Sequence, residues 1–167
     1  MRRSSSLIAT ALVFVGATAF AQAKPNFTGK WAVMADTGSL ATQQGNARGA
    51  ADYGGLGDAG EIVMDAKTLT ITRPSQIVPK SVFNLDGTET RGSVDIGGGQ
   101  MADLVLKARW EGNKLMTATL ATVQGQQYEI DLNMWLDDKG NLVTEHIVPP
   151  LGAQMPGGTM VTKYKKQ

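Results

Sequence analysis

The stretch from Gln126 to Ile147 restricts the fold more than any other part of the chain. It reads Q-Q-Y-E-I-D-L-N-M-W-L, then D-D-K-G, then N-L-V-T-E-H-I. Tyr128, Ile130, Leu132, Met134 and Leu136 occupy alternate positions, with Glu129, Asp131 and Asn133 between them. That period of two is the pattern of a strand with one dry and one wet face. Asp137-Asp138-Lys139-Gly140 then reverses the chain, because Asp side chains bond nearby backbone amides and Gly140 adopts positive φ without a Cβ penalty. A β-hairpin is expected here. Each of the five large side chains contributes roughly 1.5–3 kcal/mol if fully buried, so the remaining chain is expected to pack onto this arm.

The same alternation recurs along the sequence. Phe27 to Met34 reads as an opening strand with Trp31 and Val33 on one face. Glu61 to Met64 and Thr68 to Arg73 flank a turn at Asp65-Ala66-Lys67, and Leu69 and Ile71 alternate with threonines. Ser81 to Leu85 and Thr88 to Arg91 flank Asp86-Gly87, a specific hairpin signal. Met101 to Trp110 and Lys114 to Thr122 flank Glu111-Gly112-Asn113, and Met160 to Lys166 closes the chain. No helical period follows the first residues. Neighbours joined by tight turns are neighbours in space, so the expected fold is all-β, an antiparallel up-and-down meander of about eight to ten strands. Such a meander exposes two edges unless it closes, which favours a barrel.

Two segments break the pattern. Met1-Arg2-Arg3, a serine spacer, an apolar run from Leu7 to Phe20 and Ala21-Gln22-Ala23 have the layout of a secretory signal peptide over residues 1–23, cut after Ala23. The expected location is secreted or periplasmic, with residues 24–167 forming one domain. Losing Arg2 and Arg3 takes the formal charge from +1 to −1, and neither a basic patch for nucleic acid nor a cluster for anionic membrane remains. The second segment, 37–60, is rich in glycine, and only Leu40, Tyr53 and Leu56 are sizeable apolar groups. It is expected to be a long loop. The chain has no cysteine, so an exported domain of this size depends on its core, and thiolate chemistry is excluded.

Phe27-Thr28-Gly29-Lys30-Trp31 resembles the G-x-W opening of the calycin families, the lipocalins and the intracellular fatty-acid-binding proteins. Val161-Thr162-Lys163-Tyr164-Lys165-Lys166 is similar to their final strand, in which a basic residue packs over that tryptophan. The long segment after the first strand lies where those families carry a lid. In layout the chain looks like the lipocalin-like exported bacterial proteins, most of which have no assigned activity. The resemblance implies a calycin-type barrel.

Catalytic patterns are sparse. His146 is the sole histidine, and on a strand Glu145 and His146 point to opposite faces, so they form no dyad. A lone histidine of this kind is expected to be a satisfied surface or barrel residue. No G-x-S-x-G, matched acid and base, or two-histidine metal spacing occurs. Asp137-Asp138 reads as turn chemistry rather than a metal pair, and Gly97-Gly98-Gly99 as a loop rather than a phosphate cradle. An enzyme, a cofactor and a metal are not expected. The expected role is binding of a small apolar ligand inside the barrel, with Phe83, Trp110, Tyr128, Ile130, Leu132 and Met134 on the wall, and Arg109 or Lys163 as polar partner. Residues 37–60 would cover the mouth. Trp31 either lines the cavity or plugs the barrel floor, Trp110 either lines it or fills the core, and Trp135 is expected on the outer surface. The competing expectation is a filled barrel that contacts an envelope protein through its loops or Trp135.

Overall fold

Every expected alternating run becomes a strand. The computed structural model describes residues 23–34, 55–73, 78–148 and 158–167, which contain strands, turns and no helix. The strands are β1 (Gly29–Val33), β2 (Ala59–Met64), β3 (Thr68–Thr72), β4 (Lys80–Asn84), β5 (Thr90–Asp95), β6 (Met101–Glu111), β7 (Lys114–Val123), β8 (Gln126–Leu136), β9 (Leu142–Val148) and β10 (Gly158–Lys166). The expected signal peptide, Ala23 apart, and most of the glycine-rich segment lie outside the described residues.

All ten strands join one sheet in the order β4-β3-β2-β1-β10-β9-β8-β7-β6-β5. Each strand pairs antiparallel with its sequence neighbours, with one added pairing and one exception. The first and last strands pair with one another, Trp31 opposite Lys166 and Val33 opposite Tyr164, which rolls the meander up. The exception is β4 and β5, the two strands left at the sheet edges. The result is a nearly closed antiparallel barrel with one seam that lacks a ladder.

That seam corrects the expected Asp86-Gly87 hairpin. The turn forms, but a hairpin ladder would need Leu85 and Thr88 to bond each other. The Leu85 amide instead donates to the Lys67 carbonyl at 2.7 Å. The Thr88 amide and hydroxyl both donate to Asp86 Oδ1, at 2.9 and 2.6 Å. With those donors engaged, β5 takes its only partner in β6, Thr90 opposite Leu106.

β8 has the central place its pattern implies. It pairs along its length with β7 and with β9, Ile130 opposite Thr119 and Met134 opposite Thr144. Ile130, Leu132 and Met134 are buried on its inner face. The Asp137 carboxylate accepts the Lys139 and Asn141 amides, both at 2.9 Å, and Gly140 takes a φ of 77°. The carboxylate therefore holds the bend.

Register gives the barrel two unlike ends. Turns 65–67, 112–113 and 137–140 lie at one end, here called the floor, together with the start of β1. The segment before β1 crosses this floor. Lys24 Nζ donates to the Gly112 carbonyl at 2.8 Å, and Thr28 Oγ1 bonds the Met64 carbonyl at 3.2 Å. Between them Phe27 is fully buried and stacks on Trp110, with centroids 5.9 Å apart. Trp31 is also buried, its Nε1 donating to the Phe27 carbonyl at 2.9 Å and the Lys166 ammonium lying 5.8 Å from its ring. Leu69, Phe83, Leu106, Leu115, Met134 and Leu142 complete this packed half.

Candidate functional site

The opposite end of the barrel is hollow. Inward positions on β5 to β8 are Val94, Ala102, Leu104, Thr119, Ala121, Val123, Tyr128 and Ile130, and with Val78 and Ile96 they line a cavity of about 250 Å³. The cause is local. Ala102 and Ala121 occupy inward positions on this wall, and their short side chains leave space between facing strands. Only Thr119 and Tyr128 bring polar side-chain atoms to this wall. The volume falls just under the range of about 300–1,000 Å³ common for drug-sized ligands, so it suits a compact molecule. A larger hollow of about 370 Å³ at Lys30, Trp31, Glu61 and Thr72 is more open to solvent and shields a ligand less from water.

Of the residues singled out from the sequence, Tyr128 and Ile130 line the cavity. Trp31, Phe83, Leu132 and Met134 are buried in the packed core, and Trp110 is half-buried against Phe27. Trp31 plugs the floor and Trp110 fills space beside it. Arg109 and Lys163 are exposed and fall on the outward rows of β6 and β10. Arg109 pairs with Glu111 there. Burial raises the Asp131 carboxyl, repulsion from Glu129 adds to this, and Arg109 opposes it. Neither cation faces the lumen. Trp135 is half-buried on the outer face, with the Lys114 ammonium 4.7 Å from its ring.

A polar group that sequence reading missed lies on the inner surface. Arg73 continues the inward row of Leu69 and Ile71, its amide bonded to the Pro79 carbonyl at 2.7 Å, and the residue is only 1% exposed. Its Nη1 donates to the Val78 carbonyl at 2.8 Å and to Ser81 Oγ at 3.1 Å, and its Nε has no partner. Among the described residues no carboxylate pairs with it. The missed signal was phase: Leu69, Ile71 and Arg73 are evenly spaced.

His146 faces the same interior. It lies opposite Leu132 on β8 and Met160 on β10, is 2% exposed, and has no partner on either ring nitrogen. The expectation of a satisfied histidine is corrected, because its strand neighbours on the inner face offer chiefly hydrocarbon. Glu145 does point the other way, as expected, and accepts Lys114 Nζ at 2.7 Å and Asn133 Nδ2 at 2.9 Å. Those contacts hold the Glu145 carboxyl below its usual range, Lys114 foremost.

Burial dominates the electrostatics of the inner groups. It lowers Arg73 to about 10, which leaves the guanidinium charged at neutral pH. It lowers His146 to about 4, helped by the charge of Arg73, so the ring is neutral. It raises Tyr164 to about 12, against hydrogen bonds with the Thr144 and Thr162 side chains. The lumen thus holds one net positive charge among these three groups. Among the described residues no set of three His, Cys, Asp or Glu side chains comes together as a metal site. Nor is any helix there long and apolar enough to cross a membrane.

No protein-family model matches the chain, and no curated protein matches it.

Proposed function

We propose that this protein is an exported, lipocalin-like barrel that binds a small apolar molecule and catalyses no reaction. The apolar cavity at one end of an otherwise packed barrel carries this reading. A ligand there exchanges water for the side chains of Val94, Leu104, Val123 and Ile130, and burial of its hydrocarbon drives association. The packed floor of Phe27, Trp31 and Trp110 limits entry to the opposite end. Native mass spectrometry of protein purified from its own host, with solvent extraction of bound molecules, is the test. A recurrent co-purifying apolar compound is expected, and its absence across preparations counts against a carrier. N-terminal sequencing of the exported form tests the cut after Ala23.

A second reading, a filled envelope module that contacts another protein, draws on the packing of the floor half and on the modest cavity volume. It expects no saturable uptake of any apolar probe.

A further inference from the structure

β5 has an open edge. It and β4 end the sheet, so among the described residues no ladder covers its far side. The β5–β6 register fixes which backbone groups lie there. The Ile96 amide donates to the Gln100 carbonyl at 2.9 Å, and antiparallel bonding alternates along a strand. Val94, Gly92 and Thr90 therefore turn their amides and carbonyls to β6, opposite Ala102, Leu104 and Leu106. Arg91, Ser93 and Asp95 turn theirs away. Side chains follow the same alternation: Val94 lines the cavity, while Arg91, Ser93 and Asp95 are exposed on the outer face.

An uncovered row of backbone donors and acceptors is a template for another strand, and the charges on this one say which strand fits. Arg91 and Asp95 have opposite signs and are equally spaced about Ser93. Two copies of β5 laid antiparallel, Ser93 opposite the partner's Ser93, bring Arg91 opposite the partner's Asp95 and Asp95 opposite the partner's Arg91. All three are edge-facing residues, so this register also sets every free amide of the row against a free carbonyl. A slip of one residue loses both matches, because Arg91 then meets the partner's Val94, whose amide and carbonyl are turned to β6. We infer that β5 pairs edge to edge with β5 of a second copy of this chain, in the register centred on Ser93.

The local contacts suit this partner. The Arg91 side chain is 74% exposed, and Glu89, which it meets at 2.6 Å, also holds Lys107 at 2.9 Å. Glu89 therefore keeps a cation when Arg91 turns to the second copy. The Asp95 carboxylate is held by the Gly97 amide, which donates to Oδ1 at 2.8 Å. Edges protected from pairing carry proline or charges that repel a copy, whereas β5 has no proline and its Arg91 and Asp95 are self-complementary. Nothing in this inference depends on what the cavity holds.

Sedimentation velocity of the purified protein at concentrations up to about 1 mM tests it, because one strand pair buries less than a standard interface and forms a weak dimer. A reversible dimer is expected. Arg91→Asp and Asp95→Arg each set like charges face to face at both ends of the ladder and are expected to weaken it at least tenfold. The double variant restores opposite signs and is expected to recover the dimer. Ser93→Pro removes the central edge amide without touching the bonds to β6 and is expected to abolish it. A monomer at every concentration overturns the inference, as does a dimer indifferent to the single reversals or a folded double variant that stays monomeric. Should the variants fail to fold, amide hydrogen exchange of the native protein decides. Protection of the Arg91, Ser93 and Asp95 amides is expected to rise with protein concentration. Fast exchange throughout overturns the inference, and so does protection independent of concentration, which would assign the edge to the chain's own residues.

Discussion

Arg73 Nη1 lies 3.1 Å from Ser81 Oγ, so a fully buried guanidinium rests on a neutral hydroxyl where a carboxylate would ordinarily stand. The pair joins the end of β3 to the start of β4 beside the hollow half of the barrel. It fixes the position of a charge that no carboxylate among the described residues balances.

Arg73→Met should therefore stabilise the fold. The thioether fills similar space without a desolvated charge, and a gain on the order of 1 kcal/mol is expected in urea unfolding. A clear loss of stability would mean that the bonds to Val78 and Ser81 outweigh the buried charge.

His146 should make stability fall on acidification. Its folded pKa of about 4 lies below the ordinary 6.5, so between these values the unfolded chain binds a proton that the folded chain refuses. Stability contributed by the neutral ring is complete above pH 6.5 and is lost as the pH drops towards 4, by about 3 kcal/mol at most. Among the described residues, Arg73 and Tyr164 are the other titratable groups of this interior. Carboxylates held low, such as Asp65 and Asp137, lose their contribution at lower pH in any variant. Denaturant unfolding of His146→Leu across this range should show a flatter profile than the native protein, and parallel profiles would refute the assignment.

Ala121→Leu should fill the cavity. The added carbons enter existing space, so unfolding free energy should change by less than about 1 kcal/mol. Octanol affinity, measured by calorimetry, should drop at least tenfold. Unchanged affinity would place apolar binding somewhere other than this hollow.

Trp31→Ala should be severe. The ring is 2% exposed, bonded to the Phe27 carbonyl and covered by Lys166. Its removal opens a void in the floor and should cost about 3–5 kcal/mol. Thermal and urea unfolding measure the loss, and a small effect would show that the floor collapses around the gap.

Gly60→Ala should also destabilise. A Cβ there would stand 2.5 Å from Leu56 Cδ1 and 3.2 Å from the Thr72 carbonyl. Leu56 is itself buried, so its displacement should cost about 1–3 kcal/mol in equilibrium unfolding.

The sequence alone determined the strands, their inward faces and most of their turns. Tyr128 to Leu136 alternates because a strand turns successive side chains to opposite faces, and Asp137 bends the chain through bonds to amides only two and four residues away. Those are local effects, written in adjacent residues. What faces what across the lumen was decided only by the tertiary structure. A period of two puts Leu132 and Ile130 on the same inner face, yet one meets the packed core and the other a hollow, because that depends on which residues face them from other strands. Likewise Asp86-Gly87 signals a hairpin, but the ladder loses to a bond from Leu85 to Lys67, set by the register of β3 and β4. Arg73 and His146 are far apart in the chain and share an interior only because β1 pairs with β10 and rolls the sheet up. Long-range closure, which no local pattern encodes, brings a buried guanidinium and a neutral imidazole into one interior.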